Sequence, residues 1–73
     1  MHIATRQVLR FFHTDHMADG PGKDIAVMFA ATANNLAVML PEDPETTVAL
    51  RKLLESKDAA VRAALQIKVS DDD

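Results

Sequence analysis

The stretch "DIAVMFAATANNLAVML", residues 24–40, decides the fold. Ile25, Met28, Phe29, Leu36, Met39 and Leu40 recur at helical spacing, while Val27, Ala30, Ala31, Ala33, Ala37 and Val38 fill much of the other side. A helix apolar nearly all round must be covered on several faces. One neighbouring helix cannot do that alone. Either another part of the chain covers the second face, or further copies of the chain do.

The flanks set the boundaries. Before this stretch, "HTDHMADGPG" at 13–22 holds both glycines and a proline, which mark a loop. Asp24 is a candidate N-cap or first-turn acid. After it, "PEDPE" at 41–45 breaks the helix, because each proline disfavours helix in the residue before it. A second long helix is expected from Thr46 or Thr47 to about Lys68, with Leu50, Leu53, Leu54, Ala60, Val61, Ala64 and Leu65 as its buried stripe. Helices joined by so short a loop lie antiparallel. "IATRQVLRFF" at 3–12 predicts a short helical arm, and 69–73 a frayed tail. The expected fold is all-α: one domain, an antiparallel helical hairpin with an N-terminal arm, assembled into a homo-oligomer.

Size supports the assembly. The chain has 73 residues and no cysteine. A domain this short buries only about 60% of its unfolded surface, so a lone core is marginal. Without disulfides or thiolate metal sites, association is the remaining way to add buried area. The opening "MHIATRQVLRFF" has charges inside it and no cleavage pattern, and Asn34 and Asn35 interrupt the longest apolar run. The sequence reads as a soluble intracellular protein.

The formal net charge is -3, yet residues 47–68 carry Arg51, Lys52, Lys57, Arg62 and Lys68 against Glu55 and Asp58. Asp58 with Arg62, and Arg51 with Glu55, stand at i,i+4 and can pair. Lys52 and Lys57 have no acid at that spacing. Such a face can simply be solvated. Multiplied about a symmetry axis, it would instead make an anion site between copies. No broad basic surface for a long nucleic acid is present, and no recognition helix for DNA is apparent.

Few residues offer chemistry. "HTDH" brings His13 and His16 to i,i+3 with Asp15 between them, too few ligands for a zinc site. "GPGKD" lacks the spacing of a phosphate-binding loop. Lys23 still stands near the amino end of a helix, where free amides attract anions. No nucleophile–base pair is recognisable, so no enzyme, cofactor or resident metal is expected. Phe11 and Phe12 diverge by about 100° around a helix axis, so only one can face the core. The other is left for a partner chain or a ligand, where a base–aromatic stack is worth ~1–3 kcal/mol.

"LRFF" at 9–12 and "LPEDPETTVALRKLLESKDAAVRAAL" at 40–65 resemble a family of small bacteriophage proteins. These share the helical-hairpin domain of anti-CBASS and anti-Thoeris sponges, which sequester the cyclic nucleotide messengers of bacterial immunity. The likeness covers a good third of the chain. It implies a homo-oligomer, often a hexamer, in the host cytoplasm. It also implies cyclic dinucleotides or trinucleotides held unchanged in pockets between protomers. An aromatic residue of the arm would stack on a base, and basic and hydroxyl residues would hold the phosphates. Relatives tend to carry tyrosine two residues after LRFF, where this chain has Thr14. Stacking would then come from Phe12, His13 or His16. The candidate ligand residues are Arg10, Phe12, His13, Thr14, His16, Lys23, Arg51, Lys52 and Lys57. The rival reading is a protein-interaction hairpin whose apolar helix docks another protein.

Overall fold

The computed structural model describes residues 3–66, and the fold there is helical, with no strand among those residues. Helix α1 runs Ile3–Leu9 and tightens into a 3-10 turn at Arg10–Phe12. Helix α2 spans Pro21–Met39 and α3 spans Pro44–Leu65. The hairpin and its arm are therefore present. The expected end at Lys68 and the tail at 69–73 lie outside the described residues.

Both long helices start earlier than expected, for one reason. Proline lacks the N–H that a first turn leaves unbonded, and its ring fixes a helical φ. Pro21 and Pro44 therefore begin their helices instead of preceding them. Gly20, just before Pro21, sits at φ 149 and ψ -177, a combination essentially reserved for glycine. Its carbonyl accepts from the Asp24 N–H at 3.0 Å. At α3 the cap is Asp43, whose side chain accepts from the Glu45 N–H at 2.8 Å. Thr46, expected as a cap, instead donates its hydroxyl to the Pro41 carbonyl at 2.7 Å and is buried. That bond ties the inter-helix loop to the first turn of α3.

Gly20→Ala is expected to destabilise the fold by about 1–3 kcal/mol, since any Cβ strains that backbone. Gly22 makes the opposite case. A methyl group there would lie 3.6 Å from Leu65 Cδ2 and 3.8 Å from Val61 Cγ1, ordinary packing distances. Gly22→Ala should be neutral or stabilising by up to ~1 kcal/mol, through reduced freedom of the unfolded chain. Denaturant unfolding of the two variants, side by side, checks the difference in sign.

Those contacts of Gly22 also show the topology. The start of α2 lies against the end of α3, so the helices run antiparallel. The surface α2 offers to α3 is made of small residues. Gly22, Ala26 and Ala33 are buried, and Phe29, Ala30, Leu36 and Ala37 flank them. From α3, Leu50 fills the centre at 0% exposure, with Leu53 and Leu54 beside it. The arm closes this core with Val8 and Phe12.

Within one copy α2 is not covered on several faces as expected. Met28 and Met39 stand outside, at 65% and 78% exposure, and Leu40 is also exposed. The alanine side won because small residues let two helix axes approach closely, and the leucines of α3 then supply the volume. The arm packs on both long helices yet leaves this outer side of α2 open. Among the described residues no helix is long and apolar enough to cross a membrane.

Candidate functional site

The arm builds a polar concavity at the surface. Arg6 and Arg10 are one helical turn apart and face the same way, because α1 passes into the 3-10 turn without changing direction. With Leu9, Phe12, His13, Thr14, Asp15 and Asn34 they line a hollow of about 440 Å³. His13 Nδ1 lies 3.9 Å from Asp15 Oδ2, and Asp15 is the one acid of the lining. Two guanidinium groups therefore outweigh one carboxylate. Asn34 on α2 donates its amide to the Ala30 carbonyl at 2.8 Å, which holds the side chain against its own helix at the rim.

A second, smaller hollow of about 390 Å³ adjoins it, lined by Gln7, Arg10 and Phe11. Arg10 is shared between the two. Phe11 is 65% exposed, whereas Phe12 is 3% exposed. The two rings diverge as the helix geometry requires, and Phe12, named as a ligand candidate, is the one turned inward. Phe12 is core and cannot serve as a stacking surface. It was the better candidate for the core because the 3-10 turn points it at Ala33 and Leu50, in one cluster with Val8. Phe11 is the ring open to solvent.

Four of the nine expected ligand residues thus meet in one place: Arg10, Phe12, His13 and Thr14. The other five do not. His16 is exposed in the loop and lines neither hollow. Lys23 pairs with Asp19 at 3.4 Å. Lys52 pairs with Glu55 at 3.7 Å, and Lys57 with Asp58 at 3.0 Å. Lys52 and Lys57 indeed have no acid at i,i+4; their partners stand at i+3 and i+1 instead. Consequently Arg51 and Arg62 are left without an ion pair among the described residues, and the expected Arg51–Glu55 and Asp58–Arg62 pairs do not form. Lys57 is only 16% exposed, and its ammonium lies 6.0 Å from the centre of the Phe12 ring. At that distance it supports the ring from α3 more than it faces solvent.

Arg51 belongs to a third and larger hollow of about 540 Å³, with Ala4, Glu42, Asp43, Pro44, Thr47 and Val48. Its lining is mostly apolar or acidic, and Asp43 is already engaged as the cap of α3. The size of that cleft does not make it the anion site. Among the described residues no group of three or more His, Asp or Glu side chains could hold a metal ion.

The residues missed by sequence reasoning are Arg6, Gln7, Phe11 and Asn34. Arg6 was signalled by its i,i+4 spacing from Arg10. Asn34 had no such signal, since it joins the site only through docking of the arm on α2. Comparisons of the chain with family models, curated proteins and solved structures return no match.

Proposed function

We propose that this protein is a non-catalytic sponge for cyclic oligonucleotide messengers, cyclic di- or trinucleotides, and that it works as a homo-oligomer. The observation that carries the reading is the position of Arg10. It stands between a cationic hollow and an exposed aromatic ring. A cyclic dinucleotide presents two phosphates and two flat bases at a fixed spacing. Guanidinium groups hold phosphate by paired, charge-assisted hydrogen bonds, and phenylalanine stacks on a base. Arg6 and Arg10 supply the first, Phe11 the second, and Thr14 and Gln7 add donors beside them. The hollows are open and shallow within one copy, so a second copy is needed to enclose a ligand. The likeness of residues 9–12 and 40–65 to phage sponge proteins points the same way, including assembly as hexamers in the host cytoplasm.

The test is isothermal calorimetry with a panel of cyclic di- and trinucleotides. Saturable binding of at least one, with a mononucleotide bound far more weakly, supports the reading. No heat across the panel at tens of micromolar protein rejects it. A second reading has its own observation. Val38 and Met39, at 82% and 78% exposure, give α2 an apolar outer side of the kind that docks another protein. In that case the hairpin is an interaction module without a small-molecule ligand.

A further inference from the structure

We infer that α2 pairs with α2 of a second copy in antiparallel orientation, through the face carrying Met28, Ala31, Asn35 and Val38. The inference rests on the self-association in the proposed function and names its seam; it requires no ligand.

Charge is the first argument. No ionisable side chain occurs from Ile25 to Pro41. A helix face kept in water normally carries charged residues. The outer face of α2 instead shows Val27 at 46% exposure, Met28 at 65%, Val38 at 82% and Met39 at 78%. These four side chains expose on the order of 500 Å², more than half of the ~800 Å² each partner contributes to a standard interface.

Spacing is the second. Positions 28, 31, 35 and 38 follow the three-four-three interval of a coiled-coil seam. An antiparallel two-fold axis between 31 and 35 sets Met28 opposite Val38, and Ala31 opposite Asn35. Val27 and Met39 flank the seam on opposite sides, so each flank of the pair is also apolar. Each large side chain then faces a large one, and Asn35 covers the small Ala31. A parallel pair would oppose alanine to alanine and leave a void there. The face thus fits itself, which an arbitrary partner would not need.

Third, the neighbouring polar groups are already prepared for burial. Thr32 donates its hydroxyl to the Met28 carbonyl at 3.1 Å, and Asn34 its amide to the Ala30 carbonyl at 2.8 Å. A polar group bonded within its own helix costs less to dehydrate. Asn35 has no such bond and is the polar residue of the seam, the kind that fixes register.

Cross-linking tests the geometry directly, since the chain has no cysteine. Positions 28 and 38 lie about 15 Å apart along one helix, too far for an internal disulfide. The full-length double variant Met28→Cys/Val38→Cys should oxidise to a covalent dimer at micromolar concentration, while Val38→Cys alone should yield little. Val38→Glu should lower the mass seen by light scattering at least twofold, with helicity by circular dichroism unchanged, because the side chain is exposed. Equal masses for wild type and Val38→Glu, both above a single copy, would place the seam elsewhere and leave self-association standing. Efficient cross-linking of Val38→Cys alone would make the pair parallel and overturn the register. A wild type that is a single copy at every concentration, including one that captures a foreign apolar helix instead, overturns the seam and the assembly together. Calorimetry on the wild type judges the ligand separately in each case.

Discussion

Leu50→Ala is expected to remove most of the stability of this protein. Among the described residues Leu50 is the largest side chain that is wholly buried, and the arm and both long helices converge around it. Truncating a buried leucine loses its transfer free energy and leaves a cavity that the surroundings fill only in part, about 3–5 kcal/mol together. Domains of this size often hold little more than that in total. For 60–100 residues each 1 kcal/mol moves Tm by roughly 4–8 °C, so a fall of about 12–40 °C is expected. Leu65→Ala is the control: at 63% exposure its loss should shift Tm by only a few degrees. Thermal unfolding followed by circular dichroism, at one fixed protein concentration, measures both. A shift for Leu50→Ala no larger than for Leu65→Ala would mean that the hairpin is not packed around this residue.

The second large effect concerns the ligand. Arg10→Ala is expected to weaken cyclic oligonucleotide binding about 10- to 100-fold, the loss of one charge-assisted pair worth about 1.5–3 kcal/mol. Arg6→Ala should act in the same direction, and the double variant should abolish measurable binding. Phe11→Ala should cost a further base stack, whereas Lys52→Ala, on the far face and already paired with Glu55, should leave affinity within twofold. All four side chains are exposed, so the fold should tolerate each change. The contrast matters more than any single value. If Lys52→Ala and Arg10→Ala weaken binding equally, the ligand does not sit against the arm. It would then lie along the basic face of α3.

The sequence made the hairpin legible because its breaks are local. Glycine and proline at 20–22 and 41–44 leave few ways to place two long helices. Their starts lie two or three residues before the expected ones, because proline opens helices as well as breaking them. The packing face of α2 was not legible in the same way. Hydropathy ranks Met28 and Met39 above Ala26 and Ala33, but close approach of two helices selects for smallness. That choice depends on the neighbour, which no window of α2 contains. The site divides likewise. That Phe11 and Phe12 must part company follows from helix geometry alone. Which of them turns inward is decided by the 3-10 turn and by the space beside Ala33. Arg10, His13 and Thr14 are neighbours in sequence and were found together. Asn34 reaches them only when the arm is docked.

The chain should hold its messenger and return it unaltered. Mixing a cyclic dinucleotide or trinucleotide that binds with excess protein, filtering, then heating the retained fraction and quantifying the nucleotide by chromatography tests this directly. The free nucleotide should be depleted before heating, and the intact cyclic form fully recovered afterwards. Recovery as a linear or otherwise cleaved product, or no depletion for any member of the panel, would contradict this.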